Sequence, residues 1–171
     1  MRIVFELSDK DIRYFRKSLA EVKRSTKDVD EAKVIEASND LIEEVMEANA
    51  PEFVRGQFEK LKRLVEMLED ERWALGPPER THAVNALAYF LDPHDLIPDS
   101  IPGIGYLDDA IMVSLVLDGM KYEIEAYERF CMTDGDPKKR KQLQERMRTK
   151  KRSEKERRRI VAGKRGPLGL W

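Results

Sequence analysis

Five carboxylates stand close together in the middle of the chain. Asp92, Asp95, Asp99, Asp108 and Asp109 fall within the eighteen residues DPHDLIPDSIPGIGYLDD, positions 92 to 109, together with three prolines. Hard divalent cations prefer carboxylate oxygens, so several of these acids converging on one point would form a cage for Mg²⁺, Ca²⁺ or Mn²⁺. The spacing fits no standard calcium loop. The same acids also have a plainer use. Asp95 and Asp99 can accept backbone amides in turns, while Asp108 or Asp109 can cap the helix that follows and sit at the positive end of its dipole. Capping is the first expectation, a shared cation the second. A third is that some of them bind Arg or Lys of a partner, which could be the chain's own basic tail.

The other reactive residue types give less. His94 and Asp95 form a doublet with His82 upstream, and helical phosphohydrolases use such residues to hold a metal that activates water. Those doublets sit on helices, which Pro93 and Pro98 discourage here. Glu79-x-x-His82 has the one-turn spacing of di-iron bundles, but a second such motif is required and position 91 is Leu. No phosphate-cradling Gly-Lys loop and no serine nucleophile motif occurs. The single cysteine, Cys131, has no histidine near it in sequence and reads as a buried or idle thiol. No catalytic residue is assigned. The enzyme alternative is a divalent-metal-dependent phosphoester hydrolase working at the Asp-rich loop.

The elements that must hold these residues are helical. Ser8 and Asp11 make a capping box that opens a helix through about Ser25, with Ile12, Phe15, Leu19 and Val22 on one face. A second helix is expected from about Val29 to Asn49, with a stripe of Val34, Ser38, Leu41, Val45 and Ala48. Pro51 opens a third, where Val54, Phe58, Leu61, Val65 and Leu68 recur at helical spacing. Gly76-Pro77-Pro78 ends it and starts a fourth, roughly 79–91, which is apolar on nearly every face and therefore central. A fifth runs from Leu107 or Asp108 to about Phe130 and is closed by Thr-Asp-Gly-Asp. Between the fourth and fifth, Pro93, Pro98 and Pro102 impose extended or turn units, and Leu96, Ile97, Ile101 and Ile104 should bury the loop. Ile3, Phe5 and Leu7 alternate like a short strand. It is expected to pack as an extended leader, or else to pair with its copy in a homodimer.

The stretch ALAYFLDPHDLIPDSIPGIGYLDDAIMVSLVL, residues 86–117, resembles the core motif of the bacterial YkvA-like family. An apolar helix, Asp-Leu-Ile-Pro-Asp, a second Ile-Pro, a Gly-Tyr-Leu-Asp-Asp run and another apolar helix all coincide. The positions that carry the likeness are Asp92, Asp95, Pro98, Asp99, Pro102, Gly105, Asp108 and Asp109. Residues 1–75 and the tail lie outside it. The family is one of unknown function, so the resemblance implies a compact helical unit and no reaction. For some members it also implies association with membranes.

Charge is segregated along the chain. The whole carries a formal net charge of −1, but residues 137–171 hold fifteen Lys and Arg against three Glu. That is a net of +12 beside −13 for residues 1–136. Such a tail is expected to bind RNA or DNA through phosphates, or an acidic protein surface, or to fold back on the body, with a membrane surface as a third target. The candidate contact residues are Lys138, Lys139, Arg140, Lys141, Arg146, Arg148, Lys150, Lys151, Arg152, Arg157, Arg158 and Arg159. The tail shows no apolar stripe, with Leu143, Met147 and Ile160 isolated, so it is expected to be partly helical and solvated, or disordered until bound. No run of eighteen apolar residues occurs, so no membrane span is expected, and a lone cysteine suits a cytoplasmic setting.

These observations define an all-α protein, a compact bundle of about five helices around a central apolar hairpin, with a short extended segment before it and a basic tail after it. Residues 1–75 pack on a YkvA-like core at 76–134, and 135–171 form the tail. The expected role is a bacterial cytoplasmic interaction protein without enzymatic activity.

Overall fold

The computed structural model describes residues 8–25, 30–48, 50–91 and 106–164. Side chains at 22–25 and 162–164 are not described. The alternating segment at 3–7 and most of the acidic loop fall outside these residues.

Among the described residues the protein is all helical, with no strand. Seven α-helices occur: α1 (Asp9–Ser25), α2 (Glu31–Glu47), α3 (Glu52–Glu69), α4 (Pro77–Leu87), α5 (Leu107–Gly119), α6 (Lys121–Cys131) and α7 (Pro137–Lys164). A 3-10 turn at Ala88–Leu91 follows α4. Seven exceed the five expected for two reasons. The anticipated fifth helix breaks at Met120, directly after Gly119, the weakest helix former in that run. The tail, expected to be partial or disordered, is one continuous helix of 28 residues.

Two compact units divide the chain, Met1–Met120 and Lys121–Trp171. In the first, α3 is the best-buried helix. Val54, Phe58, Leu61, Val65 and Leu68 are all at most 1% exposed, as their spacing requires, and Leu64 and Met67 widen the stripe. It packs against α2 on one side and α5 on another. The principal neighbour of α4 is α2, and the 3-10 turn contacts α2 and α1. The helices on either side of the acidic loop thus take different main partners.

Local signals explain the helix ends. The Ser8 amide donates to Oδ2 of Asp11 at 2.9 Å. In return the Asp11 amide donates to Oγ of Ser8 at 3.3 Å. This is the reciprocal capping box read from the sequence. Asp30 caps α2 by accepting the Ala32 amide at 3.0 Å, as a short acidic side chain at that position should. The end of α3 comes earlier than the Gly-Pro-Pro signal, at Glu69. The chain then turns through Trp73, fully buried, and Ala74, whose φ of 45° is left-handed. Pro77 and Pro78 occupy the first turn of α4, where their missing amides cost nothing. That helix tightens to 3-10 geometry before Asp92-Pro93, and Leu91 is exposed. The apolar character expected on every face therefore does not persist to its end.

One side chain joins three of these helices. The Arg80 guanidinium on α4 donates to the carboxylate of Glu31 at the start of α2 and, through Nη1, to the Leu68 carbonyl near the end of α3 at 2.8 Å. It therefore satisfies a carbonyl that the helix itself leaves open.

The second unit is a helical hairpin. Between its helices Asp134 and Gly135 adopt left-handed φ of 51° and 72°. The Gly135 amide returns to the Phe130 carbonyl at 3.3 Å, and this bond closes α6. Asp136 then accepts the Lys138 amide at 2.9 Å, and Pro137 takes the first helical position of α7. Both are favoured at a helix start.

Truncation of the most central aromatic checks this account. Phe58→Ala is expected to destabilise the protein by about 3–5 kcal/mol in urea unfolding. Phe58 has no exposed surface, so its loss leaves a cavity.

Candidate functional site

Of the five acids, Asp92, Asp95 and Asp99 lie outside the described residues. Asp108 and Asp109 are adjacent on the first turn of α5 and are buried, at 2% and 8% exposure. The residue preceding the helix is Tyr106, whose side chain makes no cap. Neither aspartate is therefore the N-cap that sequence suggested. Both sit one step later, inside the first turn, where the positive end of the helix favours negative charge. Tyr106 instead sends its hydroxyl to Oε1 of Glu44 on α2 at 2.9 Å, tying the loop exit to that helix.

Among the described residues no group of three or more His, Cys, Asp or Glu is arranged to hold a metal ion. His82 is half-buried on α4, and a Cβ placed on Gly119 would lie 3.9 Å from its Nε2. His94 lies outside the described residues. The hydrolase alternative therefore rests on residues beyond those described. Cys131, expected to be a buried or idle thiol, is exposed.

The basic tail is better defined. Along α7, Lys138, Lys139, Lys141, Arg146, Arg148, Lys150, Arg152, Arg157, Arg158 and Arg159 are exposed, while Arg140 and Lys151 are half-buried. Met147, expected to be isolated, is only 3% exposed and is the apolar anchor of the helix. The packing partner is α6.

Carboxylates of α6 provide most of the grip. Glu123 has no exposed surface and receives the Lys151 ammonium. Glu125 accepts Nζ of Lys150 at 3.1 Å and also pairs with Arg129 on its own helix at 2.6 Å. A reverse contact comes from Glu154 on α7, which accepts the Tyr122 hydroxyl, Arg158 at 2.7 Å and Lys121 at 3.4 Å. Sequence reading did not pick out Glu123, Glu125 or Glu154. The available signal was the acidic spacing at 123, 125 and 128, on a helix that directly precedes a basic one.

The Glu154 carboxyl is lowered to about 2, first by the Tyr122 hydrogen bond and then by Arg158. The Tyr122 hydroxyl is correspondingly raised by the same bond.

The family match falls within the first unit. Residues 80–115 match the family described as "Protein of unknown function (DUF1232)". The "Uncharacterized membrane protein YkvA" of Bacillus subtilis (strain 168) is 40% identical over 45 residues, which is 26% of this chain and 42% of that protein. The chain thus carries a YkvA-like segment, as the loop motif indicated, and matches less than half of that relative's length. No solved structure matches the chain. Among the described residues no helix is long and apolar enough to cross a membrane.

Two measurements follow. Asp108→Asn should lower the melting temperature, and neither wild type nor variant should respond to millimolar Mg²⁺, Ca²⁺ or Mn²⁺. A rise with one ion that the variant loses would assign the acids to a cation. For Glu154 the folded-state value lies below the ordinary 4.5. Its stabilisation is thus complete above about 4.5 and is lost as pH falls toward about 2. In acid titration followed by circular dichroism, Glu154→Gln should remove part of the helix loss in that window.

Proposed function

We propose that the protein is a non-enzymatic cytoplasmic interaction protein that binds nucleic acid through α7. The observation that carries this reading is the exposure of the α7 cations along one continuous helix. The hairpin with α6 engages Lys150 and Lys151 in ion pairs, and Arg158 pairs with Glu154 on its own helix, while Lys138, Lys139, Lys141, Arg146, Arg152, Arg157 and Arg159 stay on the surface. A row of cations held along a helix meets successive phosphates and releases their counterions.

The YkvA relative is named a membrane protein, but α7 lies outside the matched family segment, which ends at residue 115. Met147 is buried, and the other apolar positions of α7 are too scattered to form a face that could enter a bilayer. Nucleic acid is therefore the favoured polyanion. The YkvA-like unit would then supply the scaffold, or a second contact, for a helix that touches the ligand.

Retention of labelled RNA or DNA on filters should fall by about a thousandfold or more between roughly 50 and 200 mM salt, as expected for six or more phosphate contacts. Deleting 137–171 should abolish retention, and Lys138→Gln with Lys139→Gln and Lys141→Gln should weaken it while leaving helix content intact. Retention that survives the deletion would overturn the proposal. Loss of retention to an acidic protein competitor, with no nucleic acid bound on its own, would replace the ligand by an acidic protein surface.

A further inference from the structure

The register of α7 carries more than net charge. Lys141, Arg148, Arg152, Lys155 and Arg159 are separated by seven, four, three and four residues. At about 3.6 residues per turn they form one line, about 27 Å long. Lys139, Arg146, Lys150 and Arg157 are separated by seven, four and seven and form a second line. The two lines lie on opposite flanks, roughly 170° apart around the axis. One of the two faces between them is the packed one, holding Met147, Lys151 and Glu154 against α6. The other is the outermost face, and from 142 to 156 it consists of Gln142, Glu145, Thr149, Ser153 and Glu156, all exposed.

A flat polyanion would meet that outermost face first. Over residues 142–156 it would press on two glutamates, with Lys138 the cation of that face one turn earlier, which is unfavourable for an anionic bilayer or an acidic protein surface. A groove with a phosphate wall on each side fits the pattern instead. The major groove of B-form DNA is about 12 Å wide, and a helix with its side chains is about 10–12 Å across. The flanking cations would then face the two strands, and the neutral and acidic outer face would meet base edges, where cytosine amino groups donate to carboxylates. The major groove of A-form RNA is too deep and narrow for this. Charge complementarity thus selects one ligand shape.

Resting on the reading of α7 as a nucleic-acid-binding helix, we propose that α7 lies in the major groove of B-form duplex DNA, with a cationic ridge against each phosphate wall. Lys150 and Lys151 serve the hairpin through Glu125 and Glu123, so Lys141, Arg152, Lys155 and Arg159 would face one wall and Lys139, Arg146 and Arg157 the other.

The test uses the full chain and fluorescence anisotropy with four probes. These are duplex DNA of about two helical turns, duplex RNA of the same sequence, a single strand, and phosphatidylserine-containing vesicles. Duplex DNA should bind about tenfold or more tighter than the other three at equal salt. Lys141→Gln with Arg152→Gln, Lys155→Gln and Arg159→Gln should flatten the slope of log affinity against log salt by about 3 to 4. Ser153→Trp, on the exposed outer face, should weaken duplex DNA binding and leave vesicle binding unchanged or stronger, with helix content confirming that the hairpin is intact. Equal affinity for duplex RNA, a preference for vesicles, or no effect of Ser153→Trp on DNA overturns the groove assignment while nucleic-acid binding by α7 can still stand. Absence of binding to every nucleic acid removes both.

Discussion

A helix as charged as α7 has almost nothing to bury, so its position depends on the carboxylates of the helix before it. Met147 alone supplies a buried apolar contact from the basic helix. Glu123, Glu125 and the returning Glu154 do the rest. Exposed ion pairs of this kind contribute little singly, typically well under about 1 kcal/mol. The Glu123–Lys151 pair differs, because Glu123 is wholly buried and removal of Lys151 would strand its charge. That pair, with Met147 and the Tyr122–Glu154 contact, sets which face of α7 turns to α6. Everything inferred about which cations face outward follows from that orientation.

In the first unit the constraint is of the opposite kind. There α3 buries an unbroken apolar stripe and the neighbours α2 and α5 arrange themselves against it. Polar contacts add cross-links between its helices. Arg80 is the main one, and it ties the first turn of α4 to α2 and to an open carbonyl of α3. It is also the first residue of the segment shared with the family of unknown function. The YkvA-like segment is thus anchored at its entry by a charge on α4 and at the exit of its loop by Tyr106 on Glu44.

How much of this the sequence makes legible depends on the type of force involved. Apolar periodicity locates the buried stripe of α3, though not its end at Glu69, because burial acts through a repeat that is visible in one dimension. The capping box at Ser8 and the proline entry to α4 are equally plain, since they involve neighbours three residues apart or fewer. The break at Met120 is harder to read, because Gly119 lies in an otherwise strong helical run and only packing decides whether the helix continues. The character of α7 is misread for a related reason. Met147 looks isolated when the criterion is an apolar stripe, yet one methionine suffices once carboxylates on α6 share the load. Pairs such as Lys151 with Glu123, 28 residues apart, leave no local trace. The acidic loop marks the other boundary. Its burial and its acids are argued from residue types alone, and only Asp108 and Asp109 fall where side chains are described.

The division between held and exposed charge also bears on how such a helix could work. A cation engaged by a buried carboxylate cannot turn to a ligand without leaving that carboxylate unpaired in a desolvated site. Binding through Lys151 would therefore oppose the hairpin, whereas binding through the ridge of Lys141, Arg152, Lys155 and Arg159 leaves it untouched. In the proposed complex the free energy gained would come from counterions that the ligand releases as these cations meet it. A preformed helix also spares the ordering entropy that a disordered basic tail would lose on binding. The acidic residues of α6 thus do more than neutralise part of the tail. By clamping one face, they give the remaining charge a fixed shape, and a fixed shape is what allows a sequence of lysines and arginines to distinguish one polyanion from another.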